Sequence, residues 1–554
     1  MTTEQREDLR VRPPSKLSPL AFGTILAGAL QLAFVGVVHA AEGEQARSAS
    51  SSPPTSSSPP TDPTSPPADA TSQPPGDSQA DPASSAVNQP AAGAENSTSP
   101  ALIPTAKAQP SKAPQLRPID YSLPLKRPGV ANYLWPIVGT TGINLTFWAV
   151  AKVGGAEFAD VTPEHWKENF KTGFQWDDNE FEVNQVGHPY QGGLYFSTAR
   201  ANGLSFWQSI PYVMLGSFQW EYFLETESPS TNDWMTTTWG GTFFGEVLYR
   251  LSNRMLDDSK SGGQRFWREF AALAINPING IERLMSGAAW RDGPAGIKPP
   301  LAVNLRVGPD GIGLSDGTGW GKTMRLNMRF DYGDPYAKAH ARVPFEVFDF
   351  SFQFNAGKNI FGQGFDGTGV LLGERIKRKV HQHLLAWVMD YQYFTNGTTE
   401  LFTRESDGIY QLGEMGTGFG WYGNFSLGSQ FSIDTRADAL FVPTGAMTSP
   451  YAKNEVNRSY NYALGGATKT EFNLRHARAG RVYAKADRYW YSVINGAGGW
   501  ELVGIAEVGA YFNIYKGHGL GGAAIHYDRQ SYYKDYPDLH DSFWTGQVQY
   551  ELEY

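Results

Sequence analysis

The chain ends in the run Phe543-Trp544-Thr545-Gly546-Gln547-Val548-Gln549-Tyr550-Glu551-Leu552-Glu553-Tyr554. Its even positions from Trp544 onward are aromatic, aliphatic or glycine, whereas its odd positions from Thr545 to Glu553 are all polar. Because successive side chains of a β-strand point to opposite faces, the run predicts a strand with one apolar and one polar face. Such a strand suits an antiparallel barrel with lipid outside and a polar lumen inside. It would equally suit the last strand of a soluble β-sandwich.

The same two-residue period recurs through residues 299–554 and favours the barrel. Its clearest stretches are Met324 to Tyr332, Phe431 to Phe441, Leu502 to Ile514 and Ala523 to Gln530. Roughly ten to twelve such segments are long enough to cross a bilayer when tilted. The terminal aromatic residue, Tyr554, resembles the end of the signal strand by which bacterial outer-membrane barrels are recognised and inserted. The expected fold class is therefore α+β, a transmembrane antiparallel β-barrel preceded by an α-helical segment.

The composition excludes several classes of function. The 554 residues include no cysteine, which removes disulfides, thiolate metal sites and cysteine nucleophiles. The formal net charge is −9, so nucleic acid is not an expected partner. No G-x-S-x-G, P-loop or H-E-x-x-H signature is present in the sequence. The expected partners are outer-membrane lipid and, through the strand ending at Tyr554, the barrel-assembly machinery.

The first 118 residues predict a leader followed by a tether. Arg10, Arg12 and Lys16 precede the apolar run Leu20 to Val38, and small residues follow it. This pattern predicts a secretory signal peptide at residues 1–40, with an uncleaved membrane anchor as the alternative. Residues 41–118 are rich in Ser, Pro, Thr and Ala, which predicts a disordered tether. The expected location is the cell outer membrane.

Residues 119–298 predict a helical domain. Thr162-Pro163-Glu164 has the capping residue, proline and acid of a helix start. Apolar spacing predicts further helices at Ser205 to Glu225, Trp234 to Arg254, Gln264 to Ala274 and Ile278 to Gly287, the last two separated at Asn276-Pro277. Gly241 and Gly245 are four residues apart, so another backbone is expected to approach that helix closely.

Polar residues in these apolar surroundings are the candidate site. They are the catalytic candidates His188, Glu221, Glu225 and Glu246, and the polar residues Asn184, Asn232, Asp233 and Arg250. If two helices pack as an antiparallel hairpin, the three glutamates and Arg250 could converge, with His188 supplied by the preceding loop. Such a cluster could be a structural ion-pair network in which Arg250 neutralises Glu221 or Glu225. It could also hold a divalent metal, or act as a general acid and base. No other cofactor is indicated.

The motifs around these residues carry a resemblance. They include Asn184-x-x-x-His188-Pro189-Tyr190, Trp220-Glu221-Tyr222, Pro229-Ser230-x-Asn232-Asp233 and Gly245-Glu246-x-x-Tyr249-Arg250. Residues 180–291 resemble a family of uncharacterised bacterial envelope proteins, catalogued only as a domain of unknown function. The resemblance implies that the polar set is characteristic of the family, and it implies no activity.

The barrel pattern also predicts the width of the lumen, the position of the helices and the place of the aromatic girdles. Inward-facing residues of both charges are expected to pair, which favours a narrow or plugged lumen. The helices are expected on the periplasmic side, against the barrel mouth. Aromatic girdles are expected at Tyr332, Trp490, Tyr491, Tyr515, Tyr532 and Trp544.

The expected function is a non-catalytic envelope role, structural or as a conduit for small solutes or lipid. The alternative is an enzyme acting on lipid or another envelope substrate through the Glu/His cluster.

Overall fold

The computed structural model describes residues 117–554, apart from 177–178, 314–319, 338–339, 358–359, 398–409 and 453–457. The predicted signal peptide and all but the last two residues of the predicted tether lie outside the described residues. What the structure describes is a set of helices followed by a β-barrel.

The described residues form seven α-helices. They are α1 Val130–Gly154, α2 Pro163–Thr172, α3 His188–Ala201, α4 Phe206–Phe223, α5 Thr231–Met255, α6 Gly262–Ile275 and α7 Pro277–Met285. The side chain of Ser230 caps α5 by accepting the backbone N–H of Asp233 at 3.1 Å. The break at Asn276 is confirmed, since its side chain accepts the N–H of Asn279 at 3.0 Å to start α7. The expected loop before His188 is instead a π-helical turn, Val183–Gly187, that leads into α3.

Twelve long antiparallel strands make up the barrel in the part of the chain that is described. They are β1 Leu301–Gly313, β2 Trp320–Tyr332, β3 Phe348–Gly357, β4 Ile360–Lys377, β5 His381–Gly397, β6 Tyr410–Leu427, β7 Phe431–Thr448, β8 Tyr460–His476, β9 Gly480–Asn495, β10 Gly499–Tyr515, β11 His518–Tyr533 and β12 Leu539–Glu553. Each pairs with the next, and β12 pairs with β1, with Tyr550 opposite Val307. The sheet is therefore closed and has no free edge, as a membrane-spanning sheet requires.

The two ends of the barrel differ in their connections. At one end, which we call the short-turn end, residues 378–380, 428–430, 477–479 and 516–517 join the strands in short turns, and residues 333–347 form one longer connection. At the other, which we call the long-loop end, the connections include residues 398–409 and 449–459. In outer-membrane barrels short turns face the periplasm and long loops face outward.

The final strand has the two faces that its sequence predicted. In β12 the side chain of Val548 is 58% exposed on the outer surface, whereas that of Gln549 is 1% exposed in the lumen. Contacts between strands that are not neighbours identify the luminal side, because Arg436 of β7 binds Asp349 of β3 at 2.8 Å. The closed sheet, with an apolar outer face and ion pairs between opposite strands inside, makes this a transmembrane barrel rather than a sandwich.

The helices pack against the outside of this wall, which corrects the expectation that they sit at the barrel mouth. Tyr391 and Tyr393 of β5 share the outward face of the exposed Leu385. Both tyrosines are fully buried, because Phe243 of α5 stacks on Tyr391 with ring centroids 5.6 Å apart and Phe181 lies 5.5 Å from Tyr393. Alternation marks a residue as outward-facing but does not say whether lipid or protein covers it.

The helix α5 follows the wall from one end of the barrel to the other. Near its start, Asn232 contacts Asn184, whose amide donates to the hydroxyl of Tyr460 at the long-loop end at 2.7 Å. Near its end, Arg250 donates to the carbonyl of Pro344 and Arg254 to that of Pro299, at 2.7 and 2.8 Å, both at the short-turn end. The helical bundle therefore lies at the depth of the strands.

The expected aromatic girdles are only partly correct. Trp490, Tyr515, Tyr532 and Trp544 are exposed on the outer face. Tyr332 also faces outward, but the helices bury it. Tyr491 faces the lumen, where its hydroxyl donates to the carbonyl of Gly413 at 3.2 Å.

Candidate functional site

The start of α3, the end of α4 and the start of α5 bring three predicted residues together. His188 Nε2 lies 3.3 Å from Asp233 Oδ2, and Glu221 accepts the backbone N–H of Ser230 at 2.8 Å. One ligand atom each from His188, Glu221 and Asp233 lies within 4.8 Å of the other two, and all three side chains are buried. We call these three residues the histidine cluster. One imidazole and two carboxylates could hold a divalent cation, with further ligands supplied by water.

Asparagines surround this cluster, among them Asn184 and Asn232 of the predicted set. Asn232 donates to Asp233 Oδ1 at 2.9 Å, and Asn179 donates to Asp233 Oδ2 at 3.4 Å. Asn184 links the cluster to the barrel through Tyr460. Asp233 thus receives hydrogen bonds from side chains on several segments, as buried carboxylates in a structural network do. The metal-binding and acid–base roles proposed for the cluster remain predictions.

Glu246 and Arg250 do not join the histidine cluster, which corrects the expected convergence. Glu246 lies thirteen residues after Asp233 in the same helix, about 20 Å along its axis. There it is held between two arginines, accepting from Arg200 Nε and from Arg250 Nε, each at 2.7 Å. Arg250 neutralises neither Glu221 nor Glu225. We call Arg200, Glu246 and Arg250 the arginine–glutamate triad.

Arg200 is the member of the triad that the sequence analysis missed as a site residue. It is 1% exposed, its guanidinium also donates to the carbonyls of Leu204 and Ser122, and it lies over the ring of Tyr249. An arginine near the end of a helix that has no other Arg, Lys, Asp or Glu was the available signal, because such a residue is rarely buried without a carboxylate partner. The barrel residue Tyr460 gave no comparable signal.

Glu225 lies next to the histidine cluster, in the connection between α4 and α5. It accepts a hydrogen bond from the indole N–H of Trp220. Burial raises the pKa of Glu225 from 4.5 to about 8, with His188 opposing the rise and Asp233 and Glu227 adding to it. Glu225 is therefore largely protonated at neutral pH in the folded protein.

Stability is expected to fall as the pH rises through this range. Between the unfolded pKa near 4.5 and the folded pKa near 8, the folded state holds a proton that the unfolded chain has released. The free energy of unfolding should therefore decrease from a pH of about 5 to about 8. Glu225→Gln should flatten this dependence, whereas the exposed Glu164→Gln should not. Unfolding followed by tryptophan fluorescence at each pH measures the effect, and equal slopes in the wild type and Glu225→Gln would contradict it.

The barrel lumen is the second candidate site, and ion pairs cross its middle. Arg329 of β2 reaches Glu471 of β8 at 3.7 Å, and Lys469 of β8 binds Asp390 of β5 and Glu414 of β6. Because each of these pairs joins strands that are not neighbours, they narrow the lumen as well as neutralise it. This agrees with the expected narrow or plugged lumen.

Apolar and aromatic side chains fill the lumen between these ion pairs and the long-loop end. Phe394 stacks on Tyr527 with centroids 5.2 Å apart, Tyr527 stacks on Phe543 at 4.5 Å, and Tyr410 packs against both Tyr527 and Phe543. We call these four residues the luminal ring cluster. At the short-turn end a cavity of about 330 Å³ remains, lined by Arg306, Arg475, Arg481 and other charged residues. The described lumen is therefore a dead end that narrows toward the ring cluster.

The histidine cluster and the triad fall within one stretch that can be compared with known families. Residues 173–278 match a family model described as a domain of unknown function, DUF3943. This match confirms the resemblance that the sequence motifs predicted for residues 180–291. The DUF3943 segment runs from the end of α2 through α6 and into the start of α7, so it holds every predicted site residue but leaves out α1. No curated protein matches the chain significantly.

The barrel is similar in shape to solved outer-membrane proteins. An outer-membrane channel from Pseudomonas putida F1 is 8% identical, with 46% of this chain and 94% of that chain covered and a TM-score of 0.27. The translocator domain of the autotransporter NalP from Neisseria meningitidis is 13% identical, with 49% and 92% covered and a TM-score of 0.21. Each of these similarities covers just under half of this chain.

Proposed function

We propose that this protein is a non-catalytic outer-membrane barrel that does not conduct and that anchors the DUF3943 segment in the envelope. The observation that carries the proposal is the filled lumen. The luminal ring cluster and the ion pairs across the lumen occupy the space through which a solute would pass. The role is therefore structural rather than that of a conduit.

The location follows from the barrel itself. A closed antiparallel sheet with an apolar outer face satisfies its backbone hydrogen bonds internally and can lie in hydrocarbon. On β9 to β12 the outer face carries exposed apolar side chains, among them Val482, Val508, Phe512 and Val548. The protein is an outer-membrane barrel, and its short-turn end faces the periplasm.

The enzymatic alternative receives no support from the geometry. His188 and Glu221 are buried inside the helical bundle. Glu246, the third carboxylate of the predicted catalytic set, belongs to the triad about 20 Å further along α5.

Conductance measurements in planar bilayers test the proposal. The wild-type protein should produce no stepwise current. Removing three members of the luminal ring cluster, as Phe394→Ala with Tyr410→Ala and Tyr527→Ala, should open the lumen and produce current, because luminal substitutions change permeation in such barrels.

The matched control removes rings from the outer face of the same wall. Phe419→Ala with Phe441→Ala deletes two exposed rings on β6 and β7 and should leave the current at baseline. Heat-dependent migration in denaturing gels verifies that each barrel is folded. A steady current through the wild-type protein would show that the lumen is open, and the structural role would be wrong.

A further inference from the structure

We propose that α1, α3, α4 and α5 lie inside the outer membrane beside the barrel, where lipid acyl chains cover the exposed side of α1 and α4. The inference rests on the proposed location of the barrel in a bilayer. It adds that the lipid-exposed surface of this protein is partly helical.

The first argument is the continuity of the outer wall. The helices cover outward residues on strands β2 to β8, including Phe330, Phe350, Tyr391 and Tyr460. On β9 to β12 the corresponding outward residues are exposed and meet lipid. Because lipid surrounds a membrane barrel on all sides, a bundle attached to the wall at strand depth must replace lipid there.

The second argument is length. Both α1 and α5 have 25 residues, and at 1.5 Å per residue each is about 37 Å long. The hydrocarbon core of a bilayer is about 30 Å thick. The contacts of α5 with Asn184 at its start and with Pro299 and Pro344 near its end show that it reaches both ends of the barrel.

The third argument is the direction of the four helices. The pairs His188–Asp233 and Arg200–Glu246 show that α3 runs alongside α5 in the same direction, toward the short-turn end. The helices α4 and α1 run the opposite way, since Asn132 near the start of α1 donates to the carbonyl of Asn202 and Asn144 further along donates to that of Gly216. Four helices of alternating direction along the wall return the chain to the short-turn end, where β1 begins.

The fourth argument is the chemistry of the outer layer. The exposed side of α1 is apolar, with Leu134, Val138, Leu145 and Val150 among its exposed residues, and Lys152 near its end is its one charged residue. Of the described helices, only α1 is both long and apolar enough to cross a membrane by itself. In α4 no charged residue precedes the buried Glu221. The polar residues of α3 and α5 are enclosed in the bundle, as ionisable groups at membrane depth must be.

The fifth argument is the pair of aromatic belts. At the long-loop end the exposed rings are Trp166, Phe170, Phe174 and Trp176, and at the short-turn end they are Phe266, Trp267, Phe270 and Trp290. At the short-turn end the opposite side of α6 and α7 carries charges, in which Arg265 and Arg283 bind Glu269 and Asp258. Aromatic side chains concentrate at both interfaces of a bilayer, and amphipathic helices lie in the interface plane.

Lipid-borne quenchers test the inference directly. Because the chain has no cysteine, single cysteines can be introduced for labelling with bimane. Leu145→Cys reports on the exposed middle of α1, Val508→Cys on the bare barrel wall, and Lys534→Cys on a connection at the long-loop end. Each labelled protein is reconstituted in phosphatidylcholine vesicles with and without dibrominated acyl chains.

The three positions separate the possible outcomes. Bimane at Leu145 should lose as large a fraction of its emission as bimane at Val508, and bimane at Lys534 should lose little. If bimane is quenched at Val508 but not at Leu145, and Val138→Cys on α1 also shows no quenching, the inference is wrong. The barrel would still be a membrane protein. Absence of quenching at Val508 as well would mean that the barrel itself is not in the bilayer, and both proposals would fail.

Discussion

Glu246→Gln should unfold the helical bundle under conditions in which the barrel remains folded. The substitution keeps the shape of the side chain but removes the one carboxylate that neutralises Arg200 and Arg250, each buried. Removing one partner from a buried ion pair costs about 3–5 kcal/mol, because an unpaired charge stays buried. We therefore expect the free energy of unfolding of the bundle to fall by about that amount. Denaturant titration followed by tryptophan fluorescence measures it.

Two further variants separate charge from packing in the triad. Glu168→Gln on the exposed side of α2 removes a carboxylate that has no buried partner and should change stability little. Replacing the whole triad, as Arg200→Met with Glu246→Leu and Arg250→Met, should recover much of the lost stability, since apolar residues often replace buried ion pairs without loss. A wild-type unfolding midpoint for Glu246→Gln alone would show that the triad contributes nothing.

Gly241→Ala should push α3 and α5 apart. A β-carbon at this position would lie 2.5 Å from the Cα and the carbonyl carbon of Gly192, and 3.0 Å from the backbone nitrogen of Gly193. Backbone atoms cannot move aside as a flexible side chain can, so the helices must separate. Overpacking of this kind costs about 1–3 kcal/mol, which should appear as a lower unfolding midpoint in the same titration.

The matched control is another glycine inside a helix. Gly142 of α1 has no neighbouring atom within 4 Å of the added methyl group. Gly142→Ala should therefore be neutral or stabilising by up to about 1 kcal/mol, the difference in helix propensity. If both substitutions shifted the midpoint by the same amount in the same direction, close packing of α3 on α5 would not explain the effect.

The sequence alone predicted the barrel because the two-residue alternation of its strands can be read from neighbouring residues. Gln549 and Val548 face opposite sides in the structure as their alternation required. The break at Asn276 and the close approach at Gly241 were also predictable, since a capping side chain and a missing side chain act on their immediate surroundings.

The site was predicted less well because its contacts are long-range. His188 and Asp233 meet, but they are 45 positions apart and nothing local specifies the meeting. The expected convergence of Glu246 with Glu221 failed on simple geometry, because residues of a hairpin meet when they are equally far from its turn. The largest feature that the sequence did not predict is the covering of the outer wall by the helices. Tyr391 and the exposed Leu385 occupy equivalent outward positions in the alternation and differ only in what covers them.

The covered wall makes the molecule two-sided in the plane of the membrane. On one flank the rings of Tyr391, Tyr393 and Tyr460 are already enclosed by the chain's own helices. The opposite flank, β9 to β12, is bare. Any lateral neighbour that binds the barrel wall itself must therefore approach from that bare flank. The machinery that inserts the protein must accommodate a twelve-stranded barrel together with its attached helical bundle.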